Sequence, residues 1–215
     1  MSNTLKMLGI VGILLAAACE GDTHAEEQFS ITASGDTLIL DGVIDTSTPE
    51  IVAGALRERP DIRVVTLRNI PGSDDDEANL ELARMLRAAG VSTIIPPGGM
   101  VASGGTDLFL AGVTRVAAPD ACIGVHSWAV SGFFGSEQGR DLPRDDPEHQ
   151  LYLAYYREMG IHSDFYWYTL NSADADHIHW MNASEINSFG LTTTPVRSGE
   201  TLELTQRRCN VALNE

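Results

Sequence analysis

The chain has 215 residues, enough for one compact domain with a hydrophobic core and short for two. Asp and Glu number 30 against 14 Lys and Arg, which gives a formal net charge of −16. Because this acidity is spread along the chain, it excludes nucleic acid as an expected partner. Its simplest role is solubility, and a site for a cation or a basic peptide is the alternative.

The first residues have the pattern of a secretory signal. A single lysine precedes an apolar run over residues 7–18, which is too short to span a bilayer, and small residues stand before Cys19. We expect residues 1–18 to be the signal peptide. Residues 19–30 are polar and aperiodic, as is typical of a flexible tether, so the folded domain is predicted over residues 31–215.

The sequence around Cys19 resembles the lipobox of bacterial lipoproteins, because the cysteine follows Leu15 and three alanines. This resemblance implies a lipid on Cys19 and a periplasmic protein that is held to the envelope through it, with no other membrane contact. If signal peptidase I cuts after the alanines instead, the product is a soluble periplasmic or secreted protein.

Predicted strands and helices alternate along the rest of the chain. Strands are predicted over 37–43, 62–67, 91–95, 114–117 and 122–126, and helices from 49 to about 58, from about 75, over 104–111 and within 147–170. Asn182 and Glu185 form a start like a capping box, and Gly190 is typical of a helix stop. This alternation predicts an α/β fold with a parallel sheet and right-handed crossovers.

The remaining cysteines leave two interpretations open. If Cys19 carries a lipid, Cys122 and Cys209 form an even pair in an oxidising compartment, where a disulfide is plausible. Alternatively, Cys122 is a buried thiol and Cys209 an exposed one in the C-terminal tail. The spacings of cysteine and histidine are not those of a zinc site, so neither a metal nor another cofactor is expected.

The middle of the chain resembles the proteolytic subunit of Clp protease, within the Clp protease/crotonase-like superfamily. The similar segments are 98–105 (GGMVASGG), 108–112 (LFLAG), 115–119 (RVAAP) and 123–126 (IGVH). In that family a serine opens a helix after a strand, and a histidine ends the next strand. The resemblance covers roughly residues 37–192 and is closest to periplasmic bacterial relatives. It implies one domain built as a spiral of βαβ units.

Ser103 and His126 are the candidate catalytic pair. Ser103 stands at the predicted start of a helix, where backbone N–H groups can stabilise an oxyanion. A serine hydroxyl needs a base at neutral pH, and His126, at the end of the next strand, can supply one. Taken alone, Ser103 would more often be a helix cap, and His126 a packed or solvated histidine.

The resemblance also implies a third catalytic member and an oxyanion hole. The family's acid would align with Ile178, so Asp176, two residues earlier, is the candidate, although the run from Asp174 to His179 can also be a polar loop. The oxyanion donors are assigned to Gly72, Ser73 and Gly104. Ser73 replaces a glycine there, which would cost about 1 to 3 kcal/mol of strain if that peptide must be flipped.

Three functions remain open at this stage. The first is a serine hydrolase, peptidase-like or esterase-like, that acts on a peptide or a small ester. The second is a noncatalytic envelope binding module on the same fold, which Ser73 and the uncertain acid favour. The third is a crotonase-type acyl-CoA enzyme, against which the signal sequence argues. Residues 128–144 are predicted to be a loop that sets specificity, and relatives of this fold form trimers and rings, so a homo-oligomer is also possible.

Overall fold

The computed structural model describes residues 29–132 and 135–213. The predicted signal peptide, Cys19 and nearly all of the predicted tether lie outside the described residues, so these assignments stay predictions. None of the described helices is long and apolar enough to cross a membrane.

The described elements alternate as the sequence pattern indicates. The strands are β1 (Ser30–Ser34), β2 (Thr37–Asp41), β3 (Val64–Ile70), β4 (Ser92–Ile95), β5 (Met100–Ala102), β6 (Arg115–Ala117), β7 (Cys122–Val125), β8 (Ala129–Gly132), β9 (Gly135–Gln138) and β10 (His179–Trp180). The helices are α1 (Thr48–Glu58), α2 (Asp76–Ala89), α3 (Gly104–Leu110), α4 (His149–Glu158), α5 (Ser163–Ser172), α6 (Ala183–Ser188) and α7 (Leu202–Leu213). A 3₁₀ turn spans Gly139–Asp141.

Eight of the described strands form one sheet, which confirms the mixed α/β architecture. Its main path is β1-β2-β3-β5-β7-β10, and β4 and β6 form a branch that leaves from β3. The central pairs are parallel, whereas β1 and β10 pair antiparallel at the two ends of the path. β3 is shared at the fork: Val64–Thr66 pair with β4, and Asn69–Ile70 pair with β5.

The helix ends follow from local chemistry. Asp75 caps α2 by accepting a hydrogen bond from the N–H of Ala78, and Gly90 ends the helix with φ 69°. Asn182 and Glu185 form a reciprocal capping box at α6. The sequence predicts the start of each of these two helices, whereas the end of α2 at Gly90 was not predicted.

The core lies where the helices cover the sheet, and α3 is fully packed into it beside the site. Leu108, Phe109 and Leu110 of α3 have no exposed surface. At Gly105 a side chain is impossible without a shift, because a Cβ atom would overlap the carbonyl oxygen of Ile70 in β3. This close approach fixes the start of α3 against the sheet.

A disulfide joins the end of the chain to the sheet. Cys122 in β7 and Cys209 in α7 are bonded, with Cα atoms 5.7 Å apart, and both residues are buried. Trp180 of β10 donates from Nε1 to Asn210 Oδ1 at 2.8 Å. These contacts hold α7 beside β5, β7 and β10.

The sequence pattern missed several elements. β1, β5, β10 and α7 were not predicted, and the stretch predicted as a loop contains the β8–β9 hairpin and the 3₁₀ turn. β5 and β10 have three and two residues, which is too short for a recognisable period. The helical stretch over 147–170 is divided into α4 and α5, which separate after Gly160 at φ 73°.

Candidate active site

Ser103 lies in a sharp turn between β5 and α3. Its backbone has φ 52° and ψ −127°, and among the described residues it is the one non-glycine residue with positive φ. The Gly124 carbonyl in β7 accepts hydrogen bonds from the Ser103 N–H at 3.2 Å and from Thr106 Oγ1 at 2.7 Å. Strained backbone of this kind persists where surrounding structure enforces it, and it exposes a serine side chain between a strand and a helix.

The parallel ladder brings the predicted residues to one edge of the sheet. Ile70 of β3 pairs with Val101 of β5, and Ala102 of β5 pairs with Gly124 of β7. Each strand ends within two residues of these pairs, so the segments that follow β3, β5 and β7 emerge together. A Cβ atom placed on Gly72 would lie 3.5 Å from Ser103 Cβ, which shows how closely the first two of these segments approach.

Two backbone N–H groups border Ser103. Gly72 accepts from the Ile44 N–H at 3.1 Å and Asp74 donates to the Ile44 carbonyl at 2.8 Å, so the intervening N–H of Ser73 points away from that bridge. Gly104 is the first residue of α3, and its N–H has no helical acceptor. A Cβ on Gly104 would overlap the Ser73 side chain, so these two residues are adjacent.

This segment shows how serine is accommodated where the Clp protease motif that the sequence resembles has glycine. Ser73 does not have positive φ, so the left-handed strain that the sequence suggested is not present here. Its hydroxyl donates to Asp76 Oδ1 at 2.9 Å. Asn79 donates from Nδ2 to the Gly104 carbonyl at 2.9 Å, which holds the peptide next to Ser103 in place.

His126 follows β7 and lines the same pocket as Ser103. Burial lowers the pKa of His126 below its ordinary 6.5, and this effect exceeds the opposite effects of nearby backbone and of Asp76 and Asp174. The imidazole is therefore neutral at pH 7, the state that a general base requires. Its Nδ1 is buried and has no hydrogen-bond partner in the described part of the chain.

Asp176 has an exposed side chain, and no hydrogen bond joins it to His126 within residues 29–132 and 135–213. Its neighbours make other pairs. Asp174 Oδ1 accepts from His177 Nδ1 at 2.6 Å, and His179 Nε2 lies 2.8 Å from the hydroxyl oxygen of Tyr168. The assignment of Asp176 as the third catalytic member stays a prediction.

Two carboxylates that the sequence did not assign to the site line this pocket. Asp76, in the first turn of α2, accepts from the Tyr152 hydroxyl as well as from Ser73. Asp107, on α3, accepts from the Tyr156 hydroxyl at 2.7 Å. Burial raises the pKa of Asp107 to about 7, and the charge of Asp76 adds to that shift.

Aromatic side chains form the opposite wall. Tyr152 is stacked between Trp128 and Tyr166, with ring centroids 6.0 and 5.7 Å apart. Trp128 also donates from Nε1 to the Tyr166 hydroxyl at 3.0 Å. The pocket encloses about 430 Å³, including the part that is open to solvent. Two sequence features could have indicated these pocket residues: the tyrosine-rich stretch 152–168, and an aspartate inside the otherwise apolar α3.

Neither a protein-family model nor a curated protein matches this sequence. Solved structures do. A variant of the 1510-N membrane-bound stomatin-specific protease is 18% identical, with 72% of this chain and 75% of that chain covered and a TM-score of 0.51. Another variant of that protease, in complex with a substrate peptide, is 16% identical, with 78% of each chain covered and a TM-score of 0.48.

A protein from Streptomyces coelicolor that is assigned as an enoyl-CoA hydratase is 14% identical, with 94% of this chain and 78% of that chain covered and a TM-score of 0.49. At these identities, the similarity concerns the fold. The first structure, the 1510-N protease variant, supports the single-domain α/β fold that the resemblance to Clp protease implied.

Proposed function

We propose that this protein is an exported serine hydrolase, peptidase-like or esterase-like, in which Ser103 is the nucleophile and His126 the general base. The observation that carries the proposal is the strained backbone of Ser103 at the end of β5, inside a pocket that His126 also lines. Such strain has no structural purpose in a helix cap, because an ordinary cap adopts an extended conformation.

The first half of the reaction is acyl transfer to Ser103. The Ser103 hydroxyl oxygen attacks the substrate carbonyl carbon, while its proton passes to His126. Since Nδ1 is the buried nitrogen, Nε2 is assigned as the proton acceptor. The N–H groups of Ser73 and Gly104 stabilise the negative charge that forms on the carbonyl oxygen. His126 then protonates the leaving amine or alcohol, and an acyl-enzyme remains.

The second half is hydrolysis of that acyl-enzyme. Water gives a proton to His126 and attacks the carbonyl carbon, and the proton returns to the Ser103 oxygen as the acid product leaves. No carboxylate bonds to His126 among the described residues, so the neighbouring backbone and the charges of Asp76 and Asp174 orient and polarise the ring in this scheme. A slower enzyme than one with a complete triad is expected.

A specific observation favours the second candidate, a noncatalytic binding module. No carboxylate bonds to His126 Nδ1 among the described residues, so the ring lacks the partner that fixes its tautomer in a complete triad, which weakens it as a base. On this alternative the pocket binds its ligand, and Ser103 does not react.

Fluorophosphonate labelling of the purified mature protein separates the two. We expect mass mapping to find the adduct on Ser103, labelling to be lost in Ser103→Ala, and the rate to fall by about 10² to 10⁴ in His126→Asn. Ser188→Ala, an exposed serine on α6, is the matched control and should label as the native protein does. A folded native protein that takes no label would support the binding module and contradict the hydrolase.

A further inference from the structure

We propose that Asp107 makes this pocket selective for a substrate that carries a cationic group, an alkylammonium or a guanidinium, beside the carbonyl that Ser103 attacks. The inference rests on the proposed function, since it assigns the substrate class of the same site. It depends on the position of Asp107, on its Oδ2 atom, which accepts no hydrogen bond from the described residues, and on the aromatic residues that line the same pocket.

Asp107 lies one helical turn after Ser103 on α3. Side chains on a helix lean toward its N-terminus, so the carboxyl group of Asp107 is directed back toward Ser103. Its Oδ1 accepts from Tyr156 at 2.7 Å, while Oδ2 accepts no hydrogen bond from the described residues and retains access to the pocket. One carboxylate oxygen is thus available to a ligand within reach of the nucleophile.

The walls of the pocket suit a cation. The aromatic rings of Trp128, Tyr152 and Tyr166 line the pocket, and aromatic rings attract ammonium and guanidinium groups that reach their faces. The described residues that line the pocket include neither lysine nor arginine, so the protein supplies no cation of its own to neutralise Asp107. A neutral ligand gains no charge–charge attraction from Asp107, so the carboxylate favours a cationic one.

The charges around Asp107 also favour a cation. The titratable groups that face it are Asp76 from α2, Tyr152, Tyr155 and Tyr156 from α4, Tyr166 from α5 and His126 after β7. Neutral tyrosines and a neutral imidazole leave Asp76 as the charged neighbour, and it repels a second negative charge. A bound cation would relieve that repulsion, so binding should be accompanied by loss of the Asp107 proton.

This coupling gives a pH dependence with a definite sign. Below about pH 7, Asp107 is protonated and lacks the charge that a cation needs, so affinity should fall about tenfold for each pH unit. The lowered pKa of His126 keeps that ring neutral at pH 7 and above, so it does not compete with the cation there. The alternative role of Asp107 is structural, through Tyr156 alone. Asparagine can keep that bond, because its Oδ1 also accepts a hydrogen bond.

The test is binding of n-butylammonium and of 1-butanol, followed by tryptophan fluorescence because Trp128 lines the pocket. At pH 8 we expect the native protein to bind n-butylammonium about 10- to 100-fold more tightly than 1-butanol. Asp107→Asn should lose this preference and its pH dependence, with unchanged binding of 1-butanol. Asp141→Asn, which removes an exposed carboxylate outside the pocket, should keep both.

Equal affinity of the native protein for the two probes, or a preference that survives in Asp107→Asn, would overturn the inference. These binding measurements do not require the hydrolase reaction, and the same preference for n-butylammonium over 1-butanol is expected in Ser103→Ala. Labelling of Ser103 without cation preference therefore contradicts only the substrate class. Cation preference without labelling supports the substrate class and contradicts the hydrolase.

Discussion

Replacing Ser103 by glycine should make the protein more stable, against the usual effect of such a change. Ser103 has φ 52° and ψ −127°, a region that glycine enters freely and other residues occupy at a cost of about 1 to 3 kcal/mol. Glycine also adds about 0.5 to 1 kcal/mol of unfolded-state entropy relative to alanine. Relative to Ser103→Ala, which keeps the strain, Ser103→Gly should therefore gain up to about 2.5 kcal/mol.

Urea or thermal unfolding measures this difference. For a domain of this size, 1 kcal/mol corresponds to about 2 to 4 °C in Tm, so Ser103→Gly should melt up to about 10 °C above Ser103→Ala. The matched pair is Ser188→Gly and Ser188→Ala at the end of α6, where φ is not positive and the alanine variant should be the more stable. The reasoning is refuted if the glycine variant is the less stable one at both positions.

Three further predictions follow from the site and the termini. Asp107→Asn should raise the free energy of unfolding at pH 8 by up to about 4 kcal/mol and leave it unchanged at pH 3.5. The reason is that the folded-state pKa of about 7 makes ionisation of Asp107 increasingly destabilising from about pH 4 to pH 7. Equal effects at both pH values in urea titrations would contradict this. Cys122 and Cys209 are 87 residues apart, so reduction of their disulfide should lower the free energy of unfolding by about 4 to 5 kcal/mol on the chain-entropy model. The double alanine variant should show the same loss. Unaltered urea midpoints would count against this prediction. Cys19→Ser should move the protein from the membrane to the soluble fraction of the periplasm, and a native protein that already fractionates as soluble would rule out the lipid anchor.

The sequence predicted the parts of the fold whose pattern is long and regular. α2 has a capping aspartate and a wide apolar face, and it was predicted from these signals. β5 and β10 could not be found in this way, because neither is long enough for an alternation, and their pairing is decided by neighbours far away in the chain.

The same limit applies to the site. Ser103 and His126 could be assigned because motif residues of a known family surround them at a fixed spacing. Asp107 could not, because its environment is made by Tyr152 and Tyr156, almost 50 residues later, and nothing local indicates that α4 covers it. Residues brought together by tertiary packing leave no periodic signal in the sequence.

The pairing of β3, β5 and β7 has a consequence for how the chain can change in length. Gly72, Ser103 and Val125 continue the registers in which Ile70, Val101 and Ile123 are paired. Inserting one residue into β5 would advance Ser103 by about 3.3 Å and turn its side chain to the other face of the sheet. An insertion in the connection between α2 and β4 alters no pair of this ladder. Longer or shorter helices and loops should therefore leave the placement of Ser103 at the sheet edge unchanged. A change in the number of residues between the last ladder pair and Ser103 should not.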